Sequence, residues 1–342
     1  MDRIEYAAIA LSGDLSVEDM TRLIETDSGI SELMYSDALL DVSRLKKIRM
    51  SFDSVCRILS SGWKFINYAE ESYPAALRNI SGPPPVVFYE GNPEYLIEGE
   101  FLAIVGSRKA DRYGTTAARD FSMTLAQGGL TIVSGLAAGI DSAAHQGALE
   151  VKGRTIGVLG TGIDVDYPAS NRDLIRRVKE NCCVVSEFLP GTRPMKHNFP
   201  RRNRIIAGLS RAVFVVQANL RSGSLITARL ALENGRDVFA LPGDINRENS
   251  KGTNWLLKNG GKVITECEDI FEEYPVTLRK TEELLEDSPV LHALEVGPLS
   301  FGEMLIATGM ASNELLVELT RLQLSGHIFD DSGVWSRSSL TK

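Results

Sequence analysis

A doubly wound α/β fold around a parallel sheet is what this 342-residue sequence predicts. Three observations carry the prediction. Short, β-branched and nearly continuously apolar runs recur between residues 101 and 265, the pattern of strands buried on both faces. Amphipathic stretches of helical length separate them, so strand and helix alternate as in crossover units. Several of those stretches stop at Gly or Asn-Gly, where a helix ends easily.

Residues 1–80 mix short amphipathic stretches (VEDMTRLIE, FDSVCRILSSG) with polar breaks and read as a small helical domain. The segment SGPPPVVFYEGN, Ser81 to Asn92, marks a boundary, because a run of prolines stops any helix. Within 81–275 the expected strands are FLAIVG, LTIVSG, TIGVLG, CCVVSEF, AVFVVQ, DVFALPG and KVIT. The helices between them are read in YGTTAARDFSMTLAQGG, GIDSAAHQGALE, SNRDLIRRVKE, SLITARLALENG and GTNWLLKNGG. A charged stretch, 276–287, reads as a linker. Residues 288–342 read as three helices and a hairpin with Asp331-Ser332-Gly333 at its tip, the outline of a winged helix.

Composition narrows the function. Hydrophobic content of 43% and charged content of 24% are ordinary for a globular protein with a sizeable core. Cys56, Cys182, Cys183 and Cys267 show no C-x-x-C spacing, which points to reduced thiols and away from a metal site. Cys182 and Cys183, adjacent in an expected strand, should face opposite ways. Residues 1–12 carry acids and only a short apolar run, unlike a signal peptide. No apolar run reaches the ~20 residues of a membrane span. A cytoplasmic protein is expected. Its net charge of −8 argues against coating nucleic acid by general charge, so any such binding must be local.

A local site is visible. Between Arg193 and Arg236 stand nine Lys or Arg and a single acid, Glu233, a basic island in an acidic chain. It opens with MKHNFPRRNR, cations around an aromatic ring, where Lys196 and Phe199 lie three apart. Cations for phosphates and a ring for a base is the logic of single-strand binding. An alternative stays open, in which Phe199 is core and the arginines are solvated.

Ligands of such sheets gather beyond the carboxyl ends of the strands, so each following loop matters. In VGSRKADRYG, Ser107 and Arg108 follow the first strand, where Arg108 can fork onto a phosphate. In VSGLAAGIDSAAHQGAL, Gly135 and Gly139 allow close backbone approach. Asp141 and His145 share a helical face there, as an acid/base pair, half a metal site or a structural lock. GVLGTG has the order G-x-x-G-x-G, and the dinucleotide fingerprint G-x-G-x-x-G is missing after the first strand, against a nicotinamide enzyme. In RSGSLITAR, the small residues Ser222, Gly223 and Ser224 lead into a helix whose N-terminus suits an anion.

Taken together, VGSR, TIVSGLAAGIDSAAHQGAL, GTGIDVDYPASN, SEFLPG, FPRRNRIIAGLS, RSGSLITA, GRDVFALPG and GTNWLLKNGG resemble the DNA-processing protein A (DprA/Smf) family over about residues 75–275. The resemblance implies an extended Rossmann-like domain without catalytic activity or cofactor. It implies single-stranded DNA as ligand, a homodimer formed through this domain, and loading of the RecA recombinase during natural transformation. The family's phosphate-contacting arginine falls on Arg108, its pocket lysine on Lys196 and its base-contacting phenylalanine on Phe199. Ser107, Gly135, Asn203 and Arg204 fall in the same pocket motifs. Trp255 and Leu256 fall in the dimerisation region.

The chain departs from the family in two places. Residues 13–60 lack the Gly-rich turn of the helix-hairpin-helix or SAM-like N-terminal unit of many relatives, so no N-terminal DNA contact is expected. From Glu266 to Lys342 there are 15 acids and five bases, which favours protein contact over groove binding by the C-terminal domain. Two other readings compete. One is a nucleotide N-glycosidase, whose P-G-G-x-G-T-x-x-E motif meets RSGSLITAR here, with Glu233 a turn too late. The other is a nucleotide-sensing regulator, which needs a basic recognition helix.

Overall fold

The computed structural model describes residues 3–11, 55–274, 288–295, 297–324, 328–331 and 333–337. The expected linker at 276–287 and most of the N-terminal stretch at 13–60 lie outside the described residues. The chain divides into two compact units, Met1–Val276 and Thr277–Lys342.

The first unit is built on a nine-stranded sheet of order β1-β2-β6-β5-β4-β3-β7-β8-β9. Its parallel part comprises β3 (Glu100–Gly106), β4 (Leu130–Ser134), β5 (Thr155–Val158), β6 (Cys183–Ser186), β7 (Ala212–Gln217), β8 (Asp237–Ala240) and β9 (Lys262–Val263). These are the seven apolar runs. Strands β3 to β8 are largely apolar because they are covered on both faces, whereas the short edge strand β9 is partly exposed. Along β3, Ala103 and Val105 join one cluster with Ile205, Ile206, Ala228 and Leu256, while Leu102 and Ile104 join another with Phe121, Leu125 and Ala144.

Helices supply both layers. On the first face lie α7 (Asn198–Leu209), α8 (Gly223–Glu233) and α9 (Lys251–Lys258). On the second lie α4 (Arg112–Gln127), α5 (Ile140–Glu150) and α10 (Glu268–Glu273). Helix α6 (Arg172–Asn181) packs with α1 (Arg3–Leu11) in a third cluster. Cys182 lies in that third cluster and Cys183 in the first, on opposite sides of the sheet. Cys182 itself caps the end of α6, one residue before the strand.

The boundary read near residue 80 falls inside this unit. Residues 65–67 form β1, which pairs antiparallel with β2 (Val86–Gly91), and β2 pairs antiparallel with β6. A short helix, α3 (Ala75–Arg78), packs against α7, and residues 55–59 form another, α2. The prolines therefore open β2, the strand next to the sheet edge formed by β1. Having no N–H, they serve as acceptors: Pro85 O takes the Tyr68 N–H at 2.9 Å and Pro84 O the Tyr73 hydroxyl at 2.7 Å.

After β3 the chain adds β4, β5 and β6 on one side, then returns to place β7, β8 and β9 on the other. The reversal leaves a crevice beyond the carboxyl ends of β3 and β7. Gly106 makes it tight. A side chain there would set its Cβ 2.8 Å from Gln217 O and 2.5 Å from Ile140 Cγ1.

The second unit runs α11 (Pro289–Ala293), β10 (Leu299–Ser300), α12 (Phe301–Thr308), α13 (Ser312–Leu324), β11 (Ile328–Asp331) and β12 (Val334–Arg337). Its strands form an antiparallel sheet of order β10-β12-β11. This is three helices and a hairpin, with the short β10 added. Ser300 and Glu303 form a capping box at the start of α12, and Gly309 ends that helix at φ 66°. Ile306, Leu316 and Val317 are exposed on α12 and α13. No helix among the described residues is long and apolar enough to cross a membrane.

Candidate nucleic-acid interface

The switch-point crevice opens into a cavity of about 570 Å³, and a recess of about 130 Å³ adjoins it. Arg108, Ala137, Tyr167, Phe199 and Arg202 line both. Five segments build the lining: the turns after β3, β4 and β7, and the segments leading to α6 and α7.

The β3 turn is drawn inward at Ser107, whose N–H donates to Gln217 O at 2.7 Å and whose Oγ accepts the Lys109 N–H at 3.1 Å. That leaves the Arg108 and Lys109 side chains exposed at the cavity. Gly139, at φ 82°, starts α5 directly against this turn. Any Cβ there would meet Ser107 O at 2.2 Å, so only glycine fits.

Phe199 stands at the first turn of α7, half-buried. The Arg108 Cζ lies 5.0 Å over its ring centroid, within cation–π range. The edge of the ring rests on Gly160, where a Cβ would come within 2.8 Å of Phe199 Cδ1. Tyr167 leans on it with ring centroids 5.6 Å apart and planes 40° apart. Lys196, exposed, completes the wall one turn before Phe199. Ser222, Gly223 and Ser224 line the opposite wall, and Ser222 Oγ accepts the Ser224 N–H at the start of α8. Asn203 joins the walls, its Nδ2 donating to Gly223 O at 3.4 Å.

Three arginines of the PRRNR run separate by helical phase. Arg201 and Arg204, three apart, share one side of α7 and both pair with Glu187, Arg201 Nε at 3.0 Å and Arg204 Nη2 more closely. Glu187 is buried, and desolvation raises its pKa against the two guanidinium groups. Arg204, expected in the pocket, is therefore committed elsewhere and lines neither cavity.

Arg202 turns the other way. It is 3% exposed, and its Nη1 donates to Gly135 O at 2.7 Å and to Val158 O. Burial lowers its pKa to about 10, opposed by the Asp141 carboxylate; burial raises the pKa of Asp141, opposed by Arg202. Both close on Gly135, where a Cβ would sit 2.7 Å from Arg202 Nη2 and from Asp141 Oδ2. Gly135 is thus needed for this buried pair and borders only the smaller recess.

Asp141 and His145 divide their partners. Asp141 accepts the Ala137 N–H at 3.4 Å, and His145 Nδ1 meets Thr155 Oγ1 at 2.7 Å. Thr155 gives its own proton to Ile132 O, so Nδ1 is the donor. The structural lock is the arrangement found. Among the described residues no group of three or more His, Cys, Asp or Glu could hold a metal.

Burial pushes the His145 pKa down to about 3, and the Arg202 charge acts in the same direction. The unfolded chain takes up this proton near pH 6.5 while the folded chain excludes it. The stability contributed is complete above pH 6.5 and is lost as pH falls toward 3, by up to about 1.4 kcal/mol per pH unit. The melting temperature should fall more steeply between pH 7.5 and 5.5 in the parent than in His145→Gln. Parallel profiles would remove His145 as the cause.

Of the two residues assigned to dimerisation, Trp255 is 49% exposed and Leu256 is buried in the core cluster of the first sheet face. Lys109 and Tyr167 also line the cavity, with no role expected for them from sequence, and Arg202, read among the cations for phosphates, lies buried on backbone carbonyls instead. Tyr167 has a visible signal, an aromatic ring in a glycine-rich loop after a strand. The burial of Arg202 has none, because its neighbours carry the same charge.

Fold and site define a doubly wound α/β protein with a cation-lined, aromatic-bearing crevice at its topological switch point. A family model described as DNA recombination-mediator protein A matches residues 64–275, more than half of the chain, and the chain belongs to that family. It is 40% identical over 290 residues to Protein Smf of Escherichia coli strain K12, covering 80% of this chain and 77% of that protein. It is 45% identical over 205 residues to the DNA processing protein DprA of Streptococcus pneumoniae, covering 60% and 72%. An X-ray structure of Streptococcus pneumoniae DprA superposes with a TM-score of 0.73 at 35% identity, covering 80% of this chain and 98% of that one. A DprA structure from Helicobacter pylori, concerned with its single-stranded DNA binding mode, gives a TM-score of 0.56 at 31% identity, covering 62% and 96%.

Proposed function

We propose that this chain binds single-stranded DNA in the switch-point crevice with little regard to sequence, and serves recombination of incoming strands by helping to load RecA. The observation that carries this reading is Arg108 seated over Phe199 beside Lys196. Cations neutralise phosphates, and a ring set among them takes a base that a duplex would hide. Ser107 and Gly135 hold the backbone of the pocket, Asn203 ties its two walls, and Arg204 steadies α7 through Glu187. The nucleic-acid-binding side chains are then Arg108, Lys196 and Phe199.

The same geometry supports a binding role over hydrolysis. Asp141 is the carboxylate lining the cavity, and it is buried against Arg202. Glu233 lies at the far end of α8, with Arg229 Nε at 3.6 Å. A homodimer formed around exposed Trp255 would join two crevices on one strand and raise avidity.

The test is fluorescence anisotropy with a labelled strand of about 30 nucleotides beside its matched duplex. The single strand should bind far more tightly. Phe199→Ala should weaken it by about 1–3 kcal/mol, the worth of one stacked base, and leave duplex binding unchanged. A series of shorter strands should show a step in affinity where both crevices engage, and RecA filaments should form faster on coated strands. Equal affinity for strand and duplex would refute the reading. Binding of mononucleotides in place of strands would turn the crevice into a small-nucleotide site.

A further inference from the structure

We infer that Tyr167 is a second base-stacking ring, so that the crevice seats two successive bases, one on Phe199 and one on Tyr167 over the adjoining recess. The inference rests on the single-strand reading above and deepens it. A base needs an open ring face. Phe199 by itself offers little: Arg108 covers one face at 5.0 Å, its edge rests on Gly160, and the residue is half-buried. Tyr167 is 38% exposed and lines both cavities, so its ring is the accessible one of the pair.

The two rings touch at 5.6 Å with a 40° tilt, a contact that props Tyr167 against the firmly seated Phe199. The recess of about 130 Å³ beside them has the room of about four waters, each occupying ~30 Å³. Its walls are Gly135, Gly160, Pro168 and the two rings, closed by Arg202. The carbonyls there already have donors, Gly135 O from Arg202 and Gly160 O from Asn198, so the recess offers surface and little hydrogen-bonding discrimination. That suits a base of any identity. When a phosphate engages Arg108, the guanidinium leaves the Phe199 face and the first base can take its place.

The experiment pairs a variant series with a crosslink. Tyr167→Leu should lose about tenfold in affinity for a single strand, while Tyr167→Phe, which keeps the ring, should bind as the parent does. Neither should change affinity for an abasic strand of the same length. Irradiation of the parent protein on a strand containing 5-iodouracil should give an adduct at Tyr167, a result that needs no variant to fold. Adducts at Phe199 without any at Tyr167, or Tyr167→Leu binding as tightly as the parent, would overturn the inference. If the parent binds no strand, the single-strand reading fails first. If Phe199→Ala weakens binding while Tyr167→Leu does not, only the second ring is lost.

Discussion

Replacing Arg108 and Lys196 together by alanine should lower affinity for a single strand by at least about a hundredfold at low salt, with little change in melting temperature. Both side chains are exposed at the crevice, so folding does not depend on them. Hydrogen bonds to charged groups contribute about 1.5–3 kcal/mol each, and two are removed. Salt dependence gives the sharper reading. Each phosphate neutralised on a single strand adds about 0.7 to the slope of log affinity against log salt, so the slope should fall by about 1.4. Arg108 carries an additional consequence, because it also covers Phe199. Arg108→Lys keeps the charge and loses the flat guanidinium, and should restore the slope without restoring all of the affinity. A double variant with an unaltered salt slope would remove both residues from the phosphate path.

Arg202→Met should destabilise the fold by about 3–5 kcal/mol, the usual cost of stranding a buried charge. The substitution leaves Asp141 buried without its cation and strips the donor from the carbonyls of Gly135 and Val158. The double variant Arg202→Met/Asp141→Asn should recover part of that loss, since no uncompensated charge remains. Urea unfolding of the three proteins measures it, and an Arg202→Met midpoint equal to that of the parent would show that the pair does not hold the crevice floor. The two experiments separate neighbouring arginines by role: one contributes to affinity, the other to the shape of the pocket.

Much of this molecule is legible in its sequence. The seven parallel strands and the main helices between them follow from apolar runs and helical stops, because burial on both faces leaves a signal that survives without neighbours. The antiparallel edge leaves no such signal. β1 spans three residues and β2 follows a proline run, so neither looks like a sheet strand until β6 is there to pair with β2 and β2 with β1. The loops after β3, β4 and β7 locate the crevice in the sequence, and the topology sets them side by side.

Side-chain direction is a different matter. PRRNR shows a block of cations and no more. Arg201 and Arg204 go to Glu187, and Arg202 goes to the carbonyls of Gly135 and Val158. Glu187 is 14 residues from Arg201 and Gly135 is 67 from Arg202, distances over which a sequence carries no pairing signal. Order and composition of the residues are enough for the layered α/β architecture, the place of the basic island and the identity of the rings and cations that could meet a strand. Which of those cations remain available to a phosphate is settled only on folding, because it depends on the angle at which α7 settles on the sheet and on which distant carboxylate its faces then meet.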